Sequence, residues 1–171
     1  MLLKADNIGP VQLGVSKEEL VSSLSEIPYQ RKDYYSEEAG NDHTDFVIEL
    51  CENSYVTANF YSEEILYSIE TQSSAFLTVE GAHVGMTAEE LKNVYPEGKF
   101  INAWNEGVRR FFIIDDGKHG VFTFDSGRCV DDGYDVSSEC NAVLPSELSV
   151  RYWTNSSYTK PGVWKNIEKT E

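Results

Sequence analysis

One eight-residue segment occurs twice in the chain, and this repetition constrains the fold more than any other feature. Residues 13–20 read LGVSKEEL and residues 84–91 read VGMTAEEL, so that Gly14 recurs as Gly85, 71 residues later. Four of the eight positions are identical, and two more are conservative exchanges. Two copies in a matching context predict that one structural unit is present twice in tandem.

Each copy also carries the pattern of a helix N-terminus. Ser16 with Glu19, and Thr87 with Glu90, match the capping box. In this motif the hydroxyl accepts a hydrogen bond from the third helical amide, and the glutamate accepts one from the amide of the capping residue. Acidic residues in the first turn also suit the positive end of the helix dipole. Both copies therefore predict the start of a helix.

The two predicted helices cover residues 17–25 and 88–95, and Pro28 and Pro96 mark their ends. Helical periodicity assigns three side chains of each helix to the core. These inward positions are Leu20, Val21 and Leu24, and Leu91, Val94 and Tyr95.

Alternating apolar and polar residues predict antiparallel strands after each helix. Asp116-Gly117 is a strong hairpin signal between two of them. The acidic stretch 29–45 is predicted to be an exposed loop or a poorly ordered hairpin arm, and residues 126–145 a long acidic loop. The predicted strands are 46–50, 55–61, 65–71, 99–104, 108–115, 120–125 and 148–153.

These elements together predict an α+β protein. Two tandem repeats, each a helix plus an antiparallel sheet, are expected to form one continuous sheet with the helices on one face. The first repeat is assigned to residues 1–74. The second is assigned to residues 75–171, which include the longer acidic loop and a polar tail.

Composition narrows the classes of partner. The net charge of −15 argues against nucleic-acid binding through a basic patch, and it permits a protein partner with a basic surface. No run of about 18 apolar residues occurs, so no transmembrane segment is expected. The N-terminal segment MLLKADNIGP is too short and too polar for a signal peptide. The sequence as written therefore predicts a cytoplasmic protein, or a periplasmic or envelope protein whose leader has been removed.

Residues with metal-binding or redox chemistry give weak signals. The three cysteines are an odd number, so one is free, and Cys129 and Cys140 are a possible disulfide pair. Asp125, Asp131, Asp132 and Asp135 supply oxygen ligands of the kind that calcium prefers, although the EF-hand spacing is absent. A solvated acidic loop is the alternative interpretation.

No catalytic pattern is recognisable. His43, His83 and His119 are predicted to lie in a loop, before a helix and in a hairpin turn, and none has a nucleophile at an informative spacing. No phosphate-binding or dinucleotide-binding glycine motif is present. The sequence therefore predicts a non-enzymatic protein without a cofactor.

The two segments HVGMTAEEL (83–91) and QLGVSKEEL (12–20) resemble the beta-lactamase inhibitor protein and the SmpA/OmlA-type outer-membrane lipoprotein domain. The resemblance covers most of the chain and implies a tandem fold with a concave binding sheet. It implies contact roles for Trp104 and Trp153, and an aromatic binding strand at 55–60. The turn Glu52-Asn53-Ser54 lacks the inserted aspartate of the inhibitor. The resemblance thus implies the architecture and the binding surface rather than lactamase inhibition.

Large aromatic side chains mark the expected binding surface. Tyr55 and Tyr61 share one strand face by alternation, although burial in the core is the alternative for any single aromatic residue. Acidic loops at the rim would steer a basic partner. The predicted partner-binding residues are Tyr55, Tyr61, Trp104, Phe112, Trp153, Asp131, Asp132 and Asp135.

The sequence therefore favours a protein-binding module of bacterial type, an inhibitor or immunity-type protein that masks its partner. A scaffold domain of an envelope lipoprotein is the alternative function.

Overall fold

Antiparallel strands dominate the computed structural model of the chain, and eight of them form one sheet. The structure describes residues 1–37, 40–61, 64–104, 108–124 and 144–155, and at 102–104, 108 and 109 it describes the backbone alone. The predicted α+β class is confirmed.

The regular structure of these residues consists of short helices and strands. No helix among them is long and apolar enough to cross a membrane. In chain order the elements are β1 (Asn7–Ile8), β2 (Val11–Gln12), α1 (Lys17–Leu24), β3 (Tyr29–Ser36), β4 (Asn41–Cys51), β5 (Ser54–Phe60), β6 (Ser68–Thr71), α2 (Ala88–Val94), β7 (Lys99–Trp104), β8 (Val108–Ile113), β9 (Val121–Phe124) and β10 (Ser149–Asn155).

The eight-stranded sheet has the strand order β3-β4-β5-β6-β10-β9-β8-β7, and all its neighbours are antiparallel. Among the described strands, β6 and β10 are the neighbours that do not follow each other along the chain. We call this junction the seam. Its register places Glu70 opposite Trp153 and Thr71 opposite Tyr152.

Both predicted helix starts are confirmed. The Ser16 hydroxyl accepts a hydrogen bond from the Glu19 amide (3.2 Å), and the Glu19 carboxylate accepts one from the Ser16 amide (2.8 Å). Thr87 and Glu90 make the same two bonds at 3.1 and 2.8 Å. The helices end at Leu24 and Val94, one residue earlier than predicted in each case.

The backbone before each helix makes a second repeated set of bonds. The Gly14 amide donates to the Leu66 carbonyl (2.9 Å), and the Leu66 amide donates back to Val15 (2.8 Å). Equivalently, the Gly85 amide donates to the Ser149 carbonyl (2.9 Å), and the Ser149 amide donates back to the Met86 carbonyl (2.9 Å). Both glycines have positive φ angles, +82° and +97°, a conformation that side chains disfavour. The repeated glycine is thus required by the same backbone geometry before both helices.

The larger hydrophobic cluster contains side chains from one face of the sheet, which we call the core face, and side chains from both helices. α1 contributes Leu20 and Leu24, and α2 contributes Leu91. Val21 was predicted to point inward, but it is 38% exposed. The sheet contributes Phe46, Ile48, Val56, Ala58, Phe60, Ile69, Phe112, Phe122, Phe124 and Tyr152.

The polar stretch 29–45 is a regular hairpin rather than a loop. β3 pairs with β4 from Tyr29 opposite Ile48 to Ser36 opposite Asn41. Residues 29–35 are all exposed. The loop interpretation is therefore wrong, because charged residues are well tolerated in a strand at the edge of a sheet.

We expect Ser16→Ala and Thr87→Ala each to lower the free energy of unfolding by about 1 kcal/mol, because an amide of the first helical turn loses its acceptor. Urea titration followed by circular dichroism measures this. Ser22→Ala is the control, because Ser22 is an exposed position inside α1, where alanine favours the helix. Equal stabilities for Thr87→Ala and Ser22→Ala would contradict the capping role.

Candidate functional site

Strand alternation gives the sheet a second face, which we call the outer face. In β5, Val56 and Phe60 are fully buried on the core face, whereas Tyr55 is 46% exposed on the outer face. Thr57 and Asn59, also on the outer face, are half-buried. Strand β5 thus closes the core face and leaves the outer face accessible at Tyr55.

Trp153 lies near the middle of the outer face, on the seam. It is half-buried and packs against the buried residues Ile113 and Val121. The Arg151 guanidinium, at the next outer-face position of β10, forms a 2.8 Å ion pair with Glu70. The outer face is therefore apolar on the β8–β9 side of the seam and polar on the β5–β6 side. The row that crosses it in register is Val47, Thr57, Glu70, Trp153, Val121 and Ile113.

A groove of about 750 Å³ opens on the outer face beside the turn between β4 and β5. Two hydrogen bonds fix its wall: Thr71 donates to the Tyr55 carbonyl (2.7 Å), and Ser73 donates to the Ser54 hydroxyl (3.0 Å). The exposed Tyr55 lies at its rim, so the groove is suited to receive a protruding side chain of a partner. It is lined by Val47, Glu52, Asn53, Ser54, Tyr55, Thr57, Glu70, Thr71, Gln72, Ser73, Ser74 and Ala75.

Four aromatic rings form a packed cluster on the same face at the other end of β5. His43 stacks on Tyr34 at 5.3 Å between ring centroids, and Tyr61 meets both His43 and Tyr67 edge-on at 4.7 Å. Burial, followed by the nearby Asp45 carboxylate, raises the pKa of the Tyr34 hydroxyl above its usual value. Burial also raises the pKa of Tyr61. Both hydroxyls therefore stay protonated at neutral pH, and His43 lies in strand β4 rather than in the predicted loop.

A second group of titratable residues lies at the hairpin between β8 and β9. The His119 ring contacts Asp116 through Nδ1 (2.9 Å) and Glu80 through Nε2 (3.0 Å). The Tyr95 hydroxyl donates to Glu80 (2.7 Å), and this bond, together with His119, lowers the pKa of Glu80. Both ring nitrogens of His119 therefore contact carboxylates.

Three of the predicted binding residues lie on the outer face: Tyr55, Tyr61 and Trp153. The prediction for Phe112 is wrong. Phe112 is fully buried on the core face and packs against Phe100 at 4.8 Å. Its neighbour Phe111 has the outer-face position and contacts the apolar cluster around Ile113. Two adjacent phenylalanines give no signal of which one points inward, and so the phase of this strand was misassigned.

The remaining predicted residues are not placed by the structure. The Trp104 backbone pairs with Val108 at the far edge of the sheet, and its side chain lies outside the described residues. Asp131, Asp132 and Asp135, with the proposed calcium ligand Asp125, also lie outside them.

The described residues include only some of those named in the cysteine and metal predictions. The possible partners Cys129 and Cys140 lie outside the described residues, and Cys51 is exposed and unpaired. Within the described ranges, no group of three or more His, Cys, Asp or Glu side chains is placed to hold a metal ion.

The chain resembles a known structure at the level of the fold. No protein-family model and no curated protein matches its sequence. The crystal structure of the uncharacterized protein yfeY from Escherichia coli matches it with a TM-score of 0.61, over 91% of this chain and 99% of that chain. The two sequences are 12% identical. This likeness shows a shared architecture over nearly the full length of both chains.

We expect the group formed by Glu80, Tyr95, Asp116 and His119 to make stability depend on pH. A carboxyl group with a lowered folded-state pKa contributes stability above its unfolded-state pKa of about 4.3, and this contribution is lost as the pH falls through the folded-state pKa. Glu80→Gln should therefore flatten the decline in the free energy of unfolding between about pH 6 and pH 3. Urea titrations across this range measure the slope.

Tyr95→Phe is the matched variant, because it removes the hydrogen bond that lowers the pKa of Glu80 most. It should flatten the same slope. Parallel pH profiles for the wild type and both variants would show that Glu80 is not stabilised by this cluster.

Proposed function

We propose that the chain is a non-enzymatic protein-binding module of inhibitor or immunity type, which masks a partner protein with the outer face of its sheet. The observation that carries the proposal is the difference between the two faces of the same strands. All three residues concerned belong to β5. Val56 and Phe60 are fully buried, whereas Tyr55 is 46% exposed beside a groove. Half-exposed aromatic residues beside a concave site are typical anchors of protein interfaces.

The proposed binding surface rests on a proposed duplicated architecture. Residues 1–74 would form one repeat and residues 75–171 the other, with both helices on the core face. The paired capping boxes and the equivalent bonds of Gly14 and Gly85 support this arrangement. It is also the arrangement implied by the resemblance to the beta-lactamase inhibitor protein and the SmpA/OmlA-type domain.

Charge supports a partner with a basic surface. The chain carries a net charge of −15. Carboxylates also lie on the outer face itself: Glu70 at the seam, and Asp45, which accepts a hydrogen bond from Asn59 at 2.9 Å. Such charges raise the rate of encounter with a basic protein and disfavour acidic ones. The half-buried Trp153, Ile101 and Phe111, which pack on the buried Ile113 and Val121, would then supply the apolar part of the interface.

The surroundings of two histidines support a role without catalysis. His119 contacts a carboxylate with each ring nitrogen, and His43 is packed between Tyr34 and Tyr61. Both side chains are more than nine-tenths buried. A general base must reach the proton it abstracts, and these positions restrict that access.

The proposal is tested with a variant that blocks the groove. Thr57 lies on the groove wall next to Glu70, so Thr57→Arg would fill the groove with a long cationic side chain. Val21→Arg is the matched control, because it adds the same charge at an exposed position on α1. A protein captured from the host lysate by the wild type should bind Thr57→Arg at least about tenfold more weakly and Val21→Arg as tightly as the wild type.

Equal binding by the wild type and Thr57→Arg would overturn the proposed surface, and a loss of binding by Val21→Arg would place the contact on the side of α1. A captured protein that is released by a high-salt wash would support electrostatic recognition. Capture of envelope-assembly proteins would instead favour the alternative function, a scaffold domain of an envelope lipoprotein.

A further inference from the structure

β3 is the outermost strand at one end of the sheet, and it is long and exposed. Among the described strands it pairs with β4 alone. Its residues from Tyr29 to Tyr35 are all exposed, and Tyr35 is 61% exposed. A strand of eight residues with one open side is a template for another strand, because its outward amides and carbonyls lack strand partners.

We propose that β3 pairs antiparallel with β3 of a second copy of the chain, about a two-fold axis that passes through Lys32. An axis perpendicular to the sheet keeps the core face and the outer face of both copies continuous, because paired residues then point to the same side. The result is one sheet that runs through both copies. This inference concerns the sheet edge and does not depend on the function proposed for the outer face.

The charges of β3 are complementary in this register. With Lys32 on the axis, Arg31 of each copy lies opposite Asp33 of the other, and Tyr29 lies opposite Tyr35. Opposite charges and aromatic pairs at directly facing positions are the favourable cross-strand combinations. The side chains of Arg31 and Asp33 are 51% and 57% exposed at this edge.

Neighbouring registers lack this complementarity. An axis through Arg31 would place the two copies of Arg31 opposite each other, and an axis through Asp33 would do the same for Asp33. Like charges at facing positions are destabilising. The axis through Lys32 does bring two lysines together, but each Lys32 lies opposite Asp45 of its own β4, which offsets the repulsion.

Contacts within one copy already hold the two charges in place. The Arg31 guanidinium bonds Asp33 at 2.9 Å and lies over the Phe46 ring, and Asp33 also accepts a hydrogen bond from Thr44 at 2.7 Å. Pairing across the axis would join the two Arg31–Asp33 pairs into a ring of four alternating charges. Side chains that are ordered beforehand lose less conformational entropy on association.

Two charge reversals test the proposed register. The variant Arg31→Asp has an acidic residue at both position 31 and position 33 of β3. The variant Asp33→Arg has a basic residue at both positions. Sedimentation equilibrium up to about 1 mM protein should show a dimer for the wild type. Each variant alone should self-associate at least about tenfold more weakly, because both facing pairs become repulsive. A 1:1 mixture should recover dimerisation, since each acidic position then faces a basic one.

Two results would overturn the proposal. The first is a wild-type protein that stays monomeric at about 1 mM. In that case a strand from another protein, rather than a second copy, would be the occupant of this edge. The second is a mixture that associates no better than the separate variants, which would place any dimer contact elsewhere. The matched control is Val21→Arg, whose exposed position on α1 should leave dimerisation unchanged.

Hydrogen exchange of the wild type keeps the proposal testable if a reversed variant fails to fold. Amides of β3 that point away from β4 should become more protected as the protein concentration rises, while exposed amides of α1 should not. Protection of β3 that is independent of concentration would count against pairing between copies.

Discussion

The pairing of β6 with β10 is the interaction on which the rest of the sheet depends. All other neighbours in the described sheet follow one another along the chain, so this seam is what joins two four-stranded groups into one surface. Tyr152 holds the seam from the core face. Its buried hydroxyl accepts a hydrogen bond from the Gly120 amide (2.6 Å) and donates one to the Lys4 carbonyl (3.1 Å), which ties β10 to a hairpin and to the N-terminal segment.

The candidate binding surface exists only because the seam is formed. Glu70 and Trp153 face each other across it, and each comes from a different four-stranded group. The polar groove belongs to one group and the apolar cluster around Ile113 and Val121 to the other. A partner that contacts both therefore recognises the assembled sheet rather than either half. The edge at β3 lies at the far end of the same sheet, so the two proposed surfaces are separate.

Structural features that depend on residues close together in the sequence could be predicted better than features that depend on distant pairs of residues. The capping boxes at Ser16 and Thr87 could be read directly, because a cap depends on residues three positions apart. The accessible faces of Tyr55 and Trp153 followed from alternation. Phe112 could not be assigned, because its neighbour is also phenylalanine. The packing of His43 depends on the register between β3 and β4, and no local pattern encodes such a long-range pairing.

The seam also has a kinetic consequence. Glu70 and Trp153 lie 83 positions apart in the chain, whereas the hairpins of each four-stranded group form between sequence neighbours. Closing a long loop costs more chain entropy than closing a hairpin turn, and contacts between distant residues slow folding. The hairpins can form early, but the chain has to complete nearly all of β10 before the seam can close. During synthesis on the ribosome, the two sides of the proposed binding surface can therefore meet only after β10 has emerged, later than the hairpins of the first four-stranded group.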